Sequence, residues 1–580
     1  MRPTISFIQK ISPFTSFIGL IAIIVDFGFY QNRFYQEWLD TYYFLVLGIG
    51  LIATSIRYTQ NPSLRLRKVF YFDFSLVIFI LWLFYLYIFV GIPFETDFIL
   101  ENPIWIKIAV ILSFIREFSE LRINYKRTVL NPAQLFIASF FAIILLGAIL
   151  LMLPRASHTE ISFLDALFTS TSAVCVTGLA VVDTGSHFTT LGQTILVILI
   201  QIGGLGILTF ASYFSYFFKG GTSYENQLVL SDMTSSRKLG EVFSLLKYII
   251  LITFIIELSA TILIFSSLDS KLFSSWSEQL FFSAFHAISA FCNAGFSTLS
   301  TSLYDDGFRY NYYLQIVVIA TFVLGGLGFP IVVNIMKYAK YLLLTIIPIK
   351  KTKFRPWVLN LDSRITLITT CLITLIGFVA FYFLEYHNTL AEHRGIGKAV
   401  TALFGATTPR TAGFNSIDFA ATTMPTILLI ILLMWIGASP QSTGGGIKTS
   451  TFAIATLNIL SLAKGKTRIE VFRREISDLS VRRAFATIAL SLIIIGFGIS
   501  FVSYFDPQMS FRDIAFECFS AYSTVGLSLG ITSSLSAGSK WVLIVIMFIG
   551  RISMLSLVIA VFTKVRHKNY RYPTEELTIN

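Results

Sequence analysis

The sequence predicts an all-α polytopic membrane protein, and three observations lead there. Of 580 residues, 55% are hydrophobic and 13% charged, against roughly 25% charged in soluble proteins. The apolar residues gather in charge-poor runs, many approaching the ~20 residues that span a bilayer as a helix. Those runs do not alternate as transmembrane strands do. A soluble globular protein is thereby excluded. Phe occurs 57 times, which suits a surface facing lipid. A net charge of +12 would suggest nucleic acid in a soluble protein. Here it fits basic residues gathered in cytoplasmic loops, and no nucleic-acid partner is expected.

Taken in order, four spans fall near 14–30, 41–56, 69–92 and 103–118. Asp26 interrupts the first, and no small-residue cleavage site follows, so it reads as a retained helix. Eight more fall near 131–153, 189–218, 245–265, 312–336, 365–384, 424–438 with a continuation, 484–504 and 541–562. These eight form pairs. Between the members of each pair lies a weakly apolar stretch ending in a glycine loop: TSAVCVTGL (171–179), AISAFCNAGF (287–296), FGATTPRTAGF (404–414) and FECFSAYSTVGL (516–527). Gly178, Gly295, Gly413 and Gly526 recur at intervals of 117, 118 and 113 residues, an internal repeat. The expected organisation is a four-helix membrane extension (1–130) and four repeats, at 131–244, 245–364, 365–483 and, with a cytoplasmic tail, 484–580.

Charge placement sets the expected orientation. The connectors 219–247, 337–364 and 464–483 and the tail 564–580 carry 22 Lys and Arg, whereas the stretches around the glycine loops carry 8 with 13 acids. The connectors and both termini are therefore expected in the cytoplasm, with the glycine loops outside.

Non-helical backbone at membrane depth is tolerated where it lines a watery path. Four such loops in fourfold register can aim carbonyls at one axis and replace the water shell of a monovalent cation. Glycine permits the required turns. The expected filter comprises Val176, Thr177, Gly178 and Leu179; Asn293, Ala294, Gly295 and Phe296; Thr411, Ala412, Gly413 and Phe414; and Thr524, Val525, Gly526 and Leu527. None of these is ionisable. A potassium-channel filter reads TVGYG, whose second glycine is replaced here by Ala180, Ser297, Asn415 and Ser528. A short helix ending at each loop would turn its partly negative C-terminus toward the ion.

The stretches SAVCVTGLAVVDTG (172–185), SAFCNAGFSTL (289–299), TTPRTAGFNSID (407–418) and SAYSTVGLSLGIT (520–532) resemble the Trk/Ktr/HKT superfamily of potassium transporters, most closely bacterial Trk/Ktr pore subunits. The resemblance covers roughly 131–565. It implies a single-chain pseudo-tetrameric pore, a homodimer in the bacterial inner membrane, potassium as the main ion, and often a cytoplasmic nucleotide-binding gating ring. In one branch a serine at the first filter glycine accompanies sodium permeation. Gly178 stands there in this chain, which favours potassium.

The stretch GASPQSTGGGIKTS (437–450) breaks the second helix of repeat three, because Pro440 removes a donor and glycines hold helices poorly. A flexible polar segment just below the filter could block the pore, and within the family this broken helix is the gate. Gly437, Ser439, Gln441, Ser442, Thr443, Gly444, Gly445, Gly446 and Lys448 are its expected residues. A phosphate-loop reading is rejected, since GGGIKTS lacks the Gly-Lys pair. Arg551 lies about ten residues into the last span, and a mid-span arginine usually faces a cavity or partner. In family members a matching arginine forms a barrier below the filter.

Other residues carry less. Lys448 fits a pore-lining role or a cytoplasmic contact equally. Glu257 reads as a hydrogen-bonded acid rather than a proton relay. Cys175 and Cys292 share a repeat position with Arg410 and Ser523 and read as packing rather than a soft-metal pair. Gly203–Gly204 and Gly325–Gly326 allow close helix approach. Asp26, Asp73, Lys107 and Arg116 resemble a voltage-sensor arrangement, but the fourth span lacks an arginine at every third position. Packing or dimer support is the expectation for residues 1–130.

The sequence thus predicts potassium-selective uptake without a covalently bound cofactor and with no catalytic constellation. The alternative is a secondary transporter coupling potassium or another solute to H+ or Na+.

Overall fold

The computed structural model describes residues 2–60, 69–90, 104–120, 132–206, 242–346 and 359–552. Four helices come first: α1 (Arg2–Gly28), α2 (Arg33–Gln60), α3 (Val69–Tyr85) and α4 (Ile104–Glu120). Their shared core includes Tyr43, Leu47, Leu76, Ile80, Leu83, Ala109 and Val110.

A recurring order follows. The first unit holds α5 (Pro132–Leu151), the short α6 (Phe163–Val174), the single turn α7 (Thr184–His187) and α8 (Thr190–Leu205). The second holds α9 (Val242–Ser267), short α10 (Trp276–Cys292), α11 (Tyr312–Gly326) and α12 (Phe329–Ile346). The third holds α13 (Leu361–Glu385), short α14 (Ile396–Thr407), α15 (Met424–Trp435) and α16 (Thr449–Ala463). The fourth holds α17 (Asp478–Phe505), short α18 (Phe511–Ser523) and α19 (Ala537–Ile552). A two-stranded hairpin, Glu470–Val471 with Arg474–Glu475, lies before α17.

Packing between units is cyclic. α8 packs on α10, α11 on α14, α15 on α18, and α19 returns to α6. The short helices start where side chains satisfy their free amides. Ser162, Ser275 and Ser510 accept from the amides of Asp165, Glu278 and Asp513, each an acid in the first turn. This is the S-x-x-[DE] capping pattern, and only α14 departs from it by starting at Gly395.

Among the described residues, six helices are long and apolar enough to cross a membrane, or seven counting one bent pair. The chain is a polytopic helical membrane protein. Two expected spans differ in form. The span 312–336 is bent by 106° between α11 and α12. There Gly328 has φ +85° and lies against the Pro440 carbonyl, so the break is made by the neighbouring unit's backbone. The span 424–438 stops at Trp435, and helix resumes only at Thr449. The spans 189–218 and 541–562 are described as far as Gly206 and Ile552, and the remainder of each lies outside the described residues.

Candidate functional site

Each short helix delivers a loop with two positive φ angles at matching positions. Two residues before the glycine, Val176, Asn293, Thr411 and Thr524 are left-handed, with φ of +58°, +59°, +70° and +50°. The glycines follow at +93°, +68°, +78° and +90°. Left-handed torsions are unfavourable for residues with a Cβ, so the loops need support. The amides of Thr177, Ala294 and Val525 donate to the carbonyls of Ser172, Ser289 and Ser520 at 2.7, 2.8 and 2.9 Å. In the third loop the Ala412 amide donates to the Thr408 carbonyl at 2.9 Å.

Hydroxyls on the same residues complete the support. Ser172 Oγ and Ser520 Oγ accept from the Gly178 and Gly526 amides at 3.0 and 3.1 Å. Ser289 Oγ and Thr408 Oγ1 donate to the Phe296 and Phe414 carbonyls at 2.7 and 2.8 Å. Sequence reasoning missed these four residues. Their signal was a serine six positions before the glycine in loops one, two and four, and a threonine five before it in the third.

The four loops meet one another. A Cβ on Gly178 would strike the Ala294 carbonyl, and one on Gly295 would lie 3.1 Å from the Ala412 carbonyl. On Gly413 it would strike the Val525 carbonyl, and on Gly526 the Thr177 carbonyl. The contacts thus pass from loop to loop and return to the first. Leu179, Phe296, Phe414 and Leu527 are buried in apolar cores behind their loops. Asn293 hydrogen-bonds Thr411 Oγ1 at 3.1 Å, tying loop two to loop three. Above the glycines opens a cavity of about 310 Å³ that all four line, with Ala180, Ser297, Asn415, Ser528 and Asp183 on its wall.

The 437–448 segment lies against the opposite face of the loops. Gly444 has no room for a Cβ because of Thr411 Oγ1, nor Gly445 because of Thr524 Oγ1. The Gly445 amide donates to Thr524 Oγ1 at 3.0 Å. Ser439 N donates to the Gly326 carbonyl at 3.0 Å, and the Phe329 amide to Gln441 O at 3.2 Å. Thr443 Oγ1 donates to Phe291 O at 3.3 Å. Arg551 donates to the carbonyls of Thr443 and Gly203. Residues of the second, third and fourth units therefore hold this segment, and Arg551 links it to Gly203 of the first. Gly437 backs onto Gly445 and Gly446, Gly446 is left-handed at φ +68°, and Ser442 Oγ caps Ser439 O at 2.6 Å. Lys448 Nζ turns inward and donates to the Gly444 and Gly445 carbonyls at 2.6 and 3.3 Å.

The remaining candidates separate from this centre. Arg410 points away, donating to Thr374 Oγ1 at 3.2 Å. Cys175 and Cys292 are buried, and Cys292 packs on Gly204. Glu257 accepts from Gln201 at 3.2 Å, joining α9 to α8. Gly203 and Gly325 abut the Val174 and Phe291 carbonyls, as Gly550 does the Tyr522 carbonyl. Each of those carbonyls lies four residues before its loop glycine.

Residues 102–571 match the TrkH family, described as a cation transport protein. This chain belongs to the TrkH family. It is a transporter and not an enzyme. It is 38% identical over 449 residues to the Ktr system potassium uptake protein B of Bacillus subtilis (strain 168), covering 77% of this chain and 96% of that protein. It is 36% identical over 458 residues to the potassium/sodium uptake protein NtpJ of Enterococcus hirae, covering 78% and 97%. The crystal structure of the potassium transporter TrkH from Vibrio parahaemolyticus shares the fold, with a TM-score of 0.61 at 17% identity over 84% of this chain and 96% of that one. α1, α2 and α3 precede the matched region of this TrkH-family chain.

Proposed function

We infer that this chain is a potassium-selective uptake protein of the plasma (bacterial inner) membrane, with the four loops as its filter. The observation that carries the reading is the closed circuit of contacts from each glycine to the carbonyl before the next loop's glycine. Potassium enters the cavity above the glycines and exchanges its water for backbone carbonyls of residues 176–179, 293–296, 411–414 and 524–527. The C-terminal ends of α6, α10, α14 and α18 add negative potential without a carboxylate trap. Gly437–Lys448 with Arg551 forms the gate beneath. The membrane potential drives entry with ~2.3 kcal/mol per charge per 100 mV.

In this reading the units are the four pore repeats, and the basic connectors and both termini are cytoplasmic. The chain works as a homodimer in lipid, and the connectors seat a nucleotide-binding regulatory ring. The names of the relatives support potassium as the ion. One of those names includes sodium, which keeps Na+ or H+ coupling as a second reading.

The test is rescue of a potassium-uptake-deficient cell in low potassium by the intact chain and by Gly178→Ser. The intact chain should rescue, and the serine should erode preference for potassium over sodium. Transport by the intact chain with unaltered preference in Gly178→Ser would refute the filter assignment.

A further inference from the structure

The four-helix unit before the pore repeats buries an unusual set of charges. Lys107 Nζ meets Asp26 Oδ2 at 2.9 Å, and Arg57 Nη2 meets Glu117 Oε1 at 2.7 Å. Arg116 grips Asp73 with two bonds, Nε to Oδ1 at 2.5 Å and Nη2 to Oδ2 at 3.0 Å. All six residues are buried. Tyr43 and Tyr58 add hydroxyl donors to Asp26 and Asp73 at 3.0 and 2.6 Å. Apolar side chains would join helices in lipid at less cost, since buried ion pairs seldom outperform well-packed hydrophobic ones. Ionisable residues within spans usually mark function.

Their arrangement is specific. One partner in every pair lies on α4, and the other comes from α1, α2 or α3 in turn. The charges form two layers. Arg155 N donates to Gly28 O at 3.0 Å, so the Asp26–Lys107 layer, with Asp40 nearby on α2, lies on the glycine-loop side. Asp73, Arg116, Arg57 and Glu117 form the layer on the far side. Lys107 and Arg116 stand about 14 Å apart along α4 at 1.5 Å per residue. By their positions along α2, α3 and α4, Leu47, Ile80 and Val110 of the shared core lie between the layers. A transmembrane potential falls mostly across such an apolar layer, and the α4 cations stand at its two edges. The chain runs from α4 to α5, the first helix of the first unit. At the other end of α5, Leu153 packs on Gly28 and Arg155 lies over the Tyr30 ring at 5.6 Å. The four-helix unit is thus joined to both ends of α5.

We propose that α1–α4 form a voltage-sensing module, in which α4 exchanges partners among the acids of α1–α3 as membrane potential changes and biases flux through the adjoining repeats. One charge crossing the whole field shifts a two-state equilibrium about fifty-fold per 100 mV. Of these groups α4 carries Lys107, Arg116 and the acid Glu117, a net of one positive charge, which suffices for a measurable response. The inference rests on the pore reading only for its effect on flux.

The test uses the full chain under voltage clamp, with a fluorophore at Phe118→Cys, an exposed α4 position, in a Cys371→Ser background. Potassium current is recorded alongside. The intact sensor should give fluorescence that follows voltage and a current whose open fraction changes several-fold per 100 mV. The neutral pair Asp73→Asn/Arg116→Gln leaves no buried charge unmatched. It should keep the current and lose most of both voltage responses. Lys107→Gln/Asp26→Asn should shift the midpoint. Fluorescence and open fraction that ignore voltage, or that are unchanged in both pair variants, would overturn the proposal. Voltage-following fluorescence without any potassium current would leave the sensor standing and remove the pore reading.

Discussion

Lys540 Nζ, at the start of α19, lies 2.6 Å from Asp165 Oδ1 in the first turn of α6. The contact spans 375 residues and fastens the fourth unit to the first on the loop side. Burial pushes the Asp165 carboxyl up, but hydrogen bonds from Lys540 and Ser162 outweigh it and hold the group below its usual value. A carboxyl lowered on folding stabilises the fold above the unfolded value of about 3.9. That contribution is lost as pH falls through the lower, folded value. Lys540→Met should cost about 1–2 kcal/mol at pH 7. In thermal melts of the detergent-solubilised protein, the gap between Lys540→Met and the intact chain should be level from pH 5 to 8 and narrow only in stronger acid. A gap that closes near neutrality would contradict this.

Gly526 and Gly530 make a paired test of the filter. Both are left-handed, at φ +90° and +95°, so alanine costs each about 1–2 kcal/mol in torsion. Only at Gly526 does a Cβ also run into a carbonyl, that of Thr177; around Gly530 nothing lies within 4 Å. Gly526→Ala should abolish potassium uptake, while Gly530→Ala should retain it at similar expression. Equal losses would show that torsion, and not contact between loops, explains the glycine.

The four glycines were legible in the sequence because a chain that must adopt positive φ against a neighbouring carbonyl has no other residue to use. The helix break at Pro440 and Gly444–Gly446 was legible for a similar local reason. The break at Gly328 was not, since it answers the Pro440 carbonyl of another unit and looks like one more glycine in an apolar run. The hydroxyls behind the loops were hidden by the third unit, where the threonine sits one position later than the serines. The capping serines were hidden by helices of unequal length, 12 residues in α6 but 17 in α10. Charge partners such as Asp73 and Arg116 lie on separate helices, so spacing along one span could not show them.

Ser172 and Ser520 should matter for selectivity as well as stability. Each hydroxyl accepts from a loop-glycine amide, and alanine would leave that half-buried donor without its partner, at about 1 kcal/mol. The loop would be free to relax, so Ser172→Ala should lower potassium preference over sodium while uptake persists. Ser172→Thr keeps the hydroxyl and should restore preference. Competition of sodium against rubidium influx in whole cells reads the difference. Preference unchanged in Ser172→Ala would make the hydroxyl a packing feature only.

Arg551 can act in two ways, and substitution separates them. Its guanidinium bridges the Thr443 and Gly203 carbonyls, which ties the 437–448 segment to the first unit; in the proposed gate its charge would also repel a cation arriving from the loops. Lys448, bonded to the Gly444 and Gly445 carbonyls, places a second basic side chain at the same segment. Arg551→Gln removes both the charge and the fork and should raise potassium influx at fixed voltage without altering selectivity, because the loops above are untouched. Arg551→Lys keeps the charge but cannot reproduce a planar two-carbonyl bridge. Influx near that of the intact chain in Arg551→Lys assigns the barrier to charge, and influx near that of Arg551→Gln assigns it to the bridge. Influx that falls in all variants would show that Arg551 supports the fold and does not restrain the ion.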